Sequence, residues 1–320
     1  MKILVTGGAG FIGSNVVDAY IEAGHEVTVL DNLFTGKREN LNPKARFCHL
    51  DIRSEGLKEV FLSVRPDVVN HHAAQMSVPA SVEDPIFNAD VNVKGLLNVL
   101  EVSRISGVKK VIFISSGGAV YGEAGEYPTG EACVPEPLSP YAITKFIAEK
   151  YLNFYSLQWG LDYTVLRYAN IYGPRQVPHG EAGVMAIFMD NLLAGRPSAV
   201  YRYPGEERGM TRDYCFVADA ARANILALEK GSREAFNIGT GVATYTEGLF
   251  KIIYDTVKKK APDLQASLSR PIKKDARAGD LKRSCLNVDK AHGVLNWQPE
   301  TELRKGIELT LEWRLRKAGK

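Results

Sequence analysis

The chain opens with KILVTGGAGFIG, an apolar run that ends among glycines at positions 7, 10 and 13, and SNVVDAYIEAGHE follows at once with apolar residues at helical spacing. This juxtaposition constrains the fold more than any other feature. The first run reads as a buried strand and the second as an amphipathic helix, and glycine is the residue that lets a backbone turn tightly between them. A phosphate can approach such a turn, because a helix N-terminus presents unpaired N–H groups and the positive end of its dipole.

The next apolar run, EVTVLD, ends on Asp31. A carboxylate there accepts both hydroxyls of an adenosine ribose and repels a 2′-phosphate, which favours NAD over NADP, although Lys37 and Arg38 follow closely. ARFCHLD, DVVNHHA, KKVIFIS and TVLRY continue the series, with gaps long enough for helices. Apolar strands alternating with helices predict an α/β fold, a doubly wound parallel Rossmann sheet covered on both faces. Asp51, after the third strand, is a further candidate for the adenine amine. Past about residue 170 turns multiply, then FVADAARANILALEK and EAFNIGTG return to the helix-and-strand texture. The expected division is an NAD-binding unit, 1–169, rejoined by about 213–240, and a smaller interleaved substrate unit, 170–212 with 241–320.

Composition excludes several classes. A net charge of +3 with 24% charged residues is too balanced for a general polyanion binder, so no nucleic-acid partner is expected. The cysteines at 48, 133, 215 and 285 form no CxxC pair, and the histidines have no metal spacing, so no metal is expected. Adjacent His71 and His72 on a strand point to opposite sides. Free thiols, an N-terminus that begins directly as a strand, and no apolar run near the ~18 residues of a membrane span predict a cytoplasmic protein with no membrane partner.

SPYAITKFIAEKYLNFYSLQWG reads as a helix starting at Pro140, with Tyr141 and Lys145 four apart on one face. A free tyrosine, with a pKa of about 10, is a poor base at neutral pH. A nearby ammonium and the positive charge of NAD favour its phenolate, which can then accept a proton from a sugar hydroxyl. Ile143, Phe146, Ile147, Tyr151, Leu152, Phe154, Tyr155 and Trp159 make the helix apolar on more than one stripe, which predicts a homodimer across it.

TGGAGFIG, Asp31-Asn32-Leu33, SSGGAVYG, YAITK and LRYANIYGPR together resemble the extended short-chain dehydrogenase/reductase family over nearly the whole chain, and within it the UDP-glucose (UDP-galactose) 4-epimerases. The resemblance implies that Phe11, Ile12, Asn32, Asp51, Ile52, Ala73, Ala74, Asn92 and Tyr168 join the NAD site, with Lys145 on the nicotinamide ribose. It implies a UDP-hexose substrate, with Asn170 on the diphosphate and Arg212, Arg277 and Asp280 on diphosphate and uridine ribose. Arginine forks suit phosphate oxygens and a carboxylate suits paired hydroxyls. YRYPGEERGMTRDY is longer than the family's usual turn, which leaves Arg208 and Arg212 as alternatives for the phosphate. The implied reaction is epimerisation through a 4-keto sugar, with hydride leaving to and returning from tightly held NAD, and with Tyr141, Lys145 and a hydroxyl as the catalytic set.

Related dehydratases place an Asp–Glu pair after their catalytic threonine, and related decarboxylases place a glutamate before Val-Tyr-Gly. Gly117, Gly118, Ala119 and Val120 stand here instead, and none can exchange a proton. Epimerisation is therefore favoured over those alternatives, and the intact Tyr–Lys pair argues against a non-catalytic NAD sensor. Counting back from Tyr121 places the family's hydroxyl on Gly117; counting forward from the strand end places it on Ser116, with the glycines as slack. Strand alternation favours Ser116. The resemblance to the epimerases implies that a position shortly after RAGDL gates space beside the sugar C2 substituent; counted along this chain it is Ser284, a small residue that could admit an N-acetyl group as well as a hydroxyl.

Overall fold

In a computed structural model, which describes residues 1–178, 183–276, 280–317 and 319, the alternation becomes β1 (Lys2–Thr6), α1 (Phe11–Glu22), β2 (Glu26–Asp31), β3 (Arg46–His49), α2 (Leu57–Val64), β4 (Val68–His71), α3 (Val78–Glu83), α4 (Pro85–Ala89), α5 (Gly95–Ile105), β5 (Lys110–Ser116), α6 (Gly117–Val120), α7 (Pro140–Trp159) and β6 (Asp162–Tyr168). The chain continues through β7 (Asn170–Tyr172), α8 (Val184–Leu193), β8 (Ala199–Arg202), β9 (Thr211–Phe216), α9 (Val217–Ala227), β10 (Glu234–Ile238), β11 (Ala243–Tyr245), α10 (Thr246–Lys260), β12 (Ile272–Asp275) and α11 (Leu303–Lys317). Seven strands form one sheet in the order β10-β6-β5-β4-β1-β2-β3. Every pairing within it is parallel.

Chain order reverses between β1 and β4, and a crevice opens there beyond the strand ends. The central strands are mostly apolar and buried because both faces are covered. On one face Val16, Val17 and Tyr20 of α1 pack with Ala220 and Ala223 of α9 and with Trp297. On the other, Phe61 of α2, Leu96 and Leu100 of α5, and Leu152 and Tyr155 of α7 close over Val69, Val111 and Val165. A separate cluster lies where α8, α10 and α11 pack against β9, around Phe188, Phe250, Ile307 and Phe216. There β9 runs between β7 and β11 in a three-stranded sheet. The returning segment adds β10 to the edge of the large sheet in register with β6, Ile238 opposite Tyr168.

α7 is delimited by local chemistry. Ser139 caps it, its hydroxyl accepting from the Ala142 nitrogen at 3.2 Å, Pro140 occupies the first turn, and Gly160 ends it in the left-handed conformation. Its inner side buries Lys145, Ala148, Glu149 and Leu152. Its outer side leaves Ile143, Ile147, Phe154, Leu157 and Trp159 exposed. Among the described residues no helix is long and apolar enough to cross a membrane, and no three metal-ligating side chains gather.

Candidate active site

A cleft of about 590 Å³ runs along the C-terminal ends of β1, β2, β4, β5 and β6, lined by the glycine turn, Asp31, Tyr141 and Lys145. Gly7 sits at φ +70°, and a Cβ there would lie 2.6 Å from the Ala73 nitrogen. A Cβ on Gly13 would lie 2.3 Å from the Gly7 carbonyl oxygen. The turn is therefore pressed onto its neighbours, and α1 starts from Gly10 with neither a side-chain cap nor an acidic residue in its first turn. Those N–H groups point where a pyrophosphate would bind.

Asp31 accepts from the Ala9 nitrogen at 3.0 Å and the Leu33 nitrogen at 2.8 Å. Burial raises its pKa, and the two backbone donors oppose that shift. Asp51 is locked by the Arg53 guanidinium, at 2.9 Å to each oxygen, and accepts from Asn32 at 2.8 Å. The Arg53 bonds hold its pKa down at about 2, so it is a fixed negative charge on the cleft wall. Phe11, Ile12, Asn32, Ile52, Ala73, Ala74 and Tyr168 also line the cleft. Asn92 does not. Its amide oxygen accepts from the Gln75 nitrogen at 2.8 Å, and its amide nitrogen donates to the Gln75 carbonyl at 2.9 Å and to Thr144 at 3.1 Å. Both ends of the amide are occupied, so Asn92 ties the loop after β4 to α7 from behind the cleft wall. These features fit NAD: a phosphate cradle that a Cβ would fill, and a buried carboxylate at the end of β2.

Across the cleft, Lys145 donates from Nζ to the Ile114 carbonyl at 2.8 Å. Burial lowers its pKa to about 8, and Glu149 one turn later opposes that fall. Burial pushes Tyr141 up to about 12, and a side-chain hydrogen bond with Ser116 is what lowers it. The expected effect of the lysine on the tyrosine is thus overridden in the protein alone. Nζ stands 5.9 Å from the phenol ring, bound to a carbonyl, and desolvation of the phenolate dominates.

SSGGAVYG divides as strand alternation requires. Ser115 turns to the core, its hydroxyl donating to Glu149 Oε1 at 2.6 Å, and Ser116 faces Tyr141. The glycines are not slack. They begin α6, a single helical turn, and a Cβ on Gly117 would meet the Leu286 side chain at 2.6 Å. A Cβ on Gly118 would make ordinary contacts, 3.8 Å from Ser284 Oγ and 3.9 Å from the Asn170 amide nitrogen. Of the histidines, His71 bonds Thr6 at 2.8 Å inside the sheet. His72 lines the cleft, its pKa lowered to about 3 by burial.

The substrate-binding expectations fare unevenly. Asn170 lines the cleft, whereas Arg212, Asp280 and Ser284 stand back from its wall. Arg212 turns its guanidinium onto the Thr211 carbonyl, 2.9 Å away, and onto Met210 sulfur. Arg208 stacks on Tyr245 at 3.6 Å, so neither arginine reaches the cleft in this conformation. Asp280 accepts at its backbone carbonyl from the Tyr203 hydroxyl. Arg277 lies outside the described residues. Sequence reasoning missed Phe34, Phe87, Arg175, Gln176 and Tyr214, all on the cleft wall. Tyr214 had a usable signal, since it shares a strand face with Arg212 two residues earlier.

A doubly wound sheet that aims a glycine turn, an acidic strand end and a Tyr–Lys helix into one crevice defines an enzyme of the short-chain dehydrogenase/reductase type, dependent on a dinucleotide. The model of the NAD dependent epimerase/dehydratase family matches residues 3–239, and the chain belongs to that family. The chain is 44% identical to a UDP-glucose 4-epimerase of Mycolicibacterium smegmatis, covering 98% of each. The crystal structure of UDP-glucose 4-epimerase from Thermotoga maritima with UDP-glucose is 47% identical and superimposes with a TM-score of 0.92 over 100% of both chains. A UDP-N-acetylglucosamine 4-epimerase from Methanobrevibacter ruminantium, in complex with UDP-N-acetylmuramic acid, is 33% identical with a TM-score of 0.89 over 99% of this chain and 98% of that one.

Proposed function

We propose that this protein interconverts UDP-glucose and UDP-galactose, and accepts the N-acetylated pair as well. One observation carries the proposal: Ser116 and Tyr141 are paired at a cleft that also holds the dinucleotide turn, and residues 117–120 between Ser116 and Tyr121 contribute no acid or base. NAD held by the glycine turn and Asp31 would supply a reversible hydride acceptor for the sugar C4, and inversion requires the 4-keto sugar to present its opposite face before the hydride returns. Tyr141 accepts the proton of the C4 hydroxyl and later returns it. Ser116 bonds the same oxygen and shares its proton with the phenol. Lys145 holds the nicotinamide ribose, and its ammonium favours the phenolate. Asn170 holds the diphosphate near the sugar, Arg277 contributes to the nucleotide site, and Arg212 and Asp280 join it on binding. In this proposal 1–169 with 213–240 serve the cofactor, and 170–212 with 241–320 serve the UDP-sugar. The lack of a bulky side chain at Gly118, on the cleft wall, and at Ser284 behind it supports acceptance of the N-acetylated pair.

The test is incubation of the purified protein with UDP-galactose, without added NAD, and assay for UDP-glucose, with UDP-N-acetylgalactosamine in a second arm. Conversion is expected in both. No conversion of UDP-galactose, with added NAD making no difference, would reject the proposal, and a large kcat/KM preference for one pair would remove dual specificity. Ser116→Ala should lower kcat on the order of 10²-fold, as removal of one donor to a reacting oxygen does elsewhere. Ser115→Ala, which removes a neutral donor from a carboxylate already paired with arginine and leaves the reacting hydroxyl in place, should lower it by a smaller factor. Equal effects would leave the choice between the serines without support.

Two further readings belong to the proposal. The exposed stripe Ile143, Ile147, Phe154, Leu157 and Trp159 on α7 favours a homodimer. Light scattering at micromolar concentration should give twice the 35.2 kDa chain mass, and a clean monomer mass would sink the idea. The free cysteines Cys48, Cys133, Cys215 and Cys285 favour a cytoplasmic location.

A further inference from the structure

Behind the cleft, α7, β5, β6 and β10 enclose a charged cluster that the proposed chemistry does not use. Glu149 and Arg167 are 8% and 7% exposed. Arg167 donates from Nε to Glu149 Oε1 at 3.0 Å and from Nη2 to Oε2 at 2.5 Å. Glu149 Oε1 also accepts from Ser115 at 2.6 Å. The remaining arm, Nη1, donates to the Tyr121 hydroxyl at 2.7 Å, which in turn donates to Asn237 Oδ1 at 2.8 Å. The Asn237 amide donates to the Thr129 carbonyl at 2.9 Å and the Asn287 carbonyl at 3.1 Å. Side-on pairing and full satisfaction make the buried pair tolerable, but stability alone is a poor reason to keep it. Apolar side chains of similar volume often replace such a pair at no cost, whereas losing one partner is strongly destabilising.

The placement suggests another reason. Each member adjoins a cleft residue. Ser115 precedes Ser116, Arg167 precedes the cofactor-wall Tyr168, and Tyr121 ends the turn that follows Ser116. Glu149 lies one helical turn past Lys145 on the same buried side of α7. Fixing the Ser115 hydroxyl on Glu149 sets the rotation of the β5 end, and by alternation this aims Ser116 at the phenol. The groups facing Lys145 from other elements are His71 and His72, both held neutral by burial, and the Ile114 carbonyl. On its own helix the only carboxylate acting on it is Glu149.

We propose that the Glu149–Arg167 pair is a positioning device for the proton-transfer centre, keeping Ser116 and Lys145 in register with Tyr141 without touching substrate or cofactor. Misplacing a reacting group by an ångström can cost about 10²-fold in rate, so a network one residue removed has ample leverage.

The inference builds on the epimerase reading, and the test separates the two. The double variant E149M/R167M replaces the pair with apolar side chains of similar length, and E149Q keeps the shape while removing the charge. Expected for E149M/R167M is a Tm close to that of the native protein, KM for UDP-galactose within about threefold, and kcat at saturating NAD lowered about 10- to 100-fold. E149Q leaves Arg167 without its charge partner, so a lowered Tm is expected; assayed below that Tm it should show the same split with a smaller fall in kcat, and it decides the matter if the double variant does not fold. Native kcat in either folded variant would overturn the proposal, as would a raised KM at unchanged kcat, which marks a binding role. Crystal structures of the folded variants read the same question without activity. The proposal expects the contact between Ser116 and Tyr141 and the 2.8 Å Lys145–Ile114 bond to be lost or lengthened, and unchanged geometry would overturn it. Absence of epimerase activity in the native protein would instead reject the proposed function and leave the geometric test in force.

Discussion

Tyr141→Phe is expected to lower kcat by roughly 10³-fold while leaving NAD binding near native, because under the proposed mechanism it removes the acid–base group that exchanges a proton with the sugar oxygen. The phenylalanine keeps the ring and its packing, so the loss isolates the hydroxyl. Burial holds the phenol near 12 in the protein alone, so its conjugate base is scarce at neutral pH. A base must lose its own proton before it can take another, and the native rate should therefore rise with pH. The positive charge of bound cofactor and the Lys145 ammonium bring that rise to lower pH. In Tyr141→Phe the rising limb should vanish together with the rate. Steady-state assays from pH 6 to 10 check both points. A variant that retained more than about a tenth of native kcat would remove Tyr141 from the acid–base role.

Gly7→Ala should weaken NAD binding by roughly 100-fold or abolish it. Two penalties coincide at this residue: a left-handed backbone costs an L-residue about 1–2 kcal/mol, and the new Cβ would stand 2.6 Å from the Ala73 nitrogen, on backbone that cannot rotate away. Relief requires the glycine turn and the loop after β4 to part, and both are cofactor walls. Gly24→Ala is the control. It has φ +83° but nothing within 4 Å of its Cβ, so it carries the backbone cost alone, away from the cleft. Calorimetric titration with NAD should separate the two variants, with Gly24→Ala close to native. Native affinity in Gly7→Ala would mean that the turn does not contact the cofactor.

Those two positions were legible in the chain because their chemistry is local. The glycine turn, the helix behind it and Asp31 at the end of β2 follow from spacing within a few dozen residues. Tyr141 and Lys145 share a face because of helical periodicity, and Ser139, Pro140 and Gly160 mark where their helix begins and ends. Ser115 and Ser116 were separable by alternation along β5. Composition and periodicity also pointed to the parallel sheet, since fully apolar strands need cover on both sides.

What escaped the sequence depends on competition among groups distant in the chain. Asn92 is a polar residue beside the cofactor wall, but Gln75 and Thr144 occupy its amide, and no spacing rule announces that. Arg212 carries the charge a phosphate wants, yet its fork closes on the Thr211 carbonyl. Gly117 read as slack and is a fitted contact, because Leu286, 169 positions later, fills the space a side chain would need. Even the tyrosine–lysine pair changed character: spacing put them on one face, and the depth of burial decided that the phenol is held protonated and the ammonium is weakened. The sequence alone determined which groups this protein has and which of them share a strand or a helical turn, because those relations are set by backbone periodicity. Only the tertiary structure decided which groups face the cleft, which are spent on each other and which are desolvated, because those outcomes depend on partners that the fold brings together from across the chain.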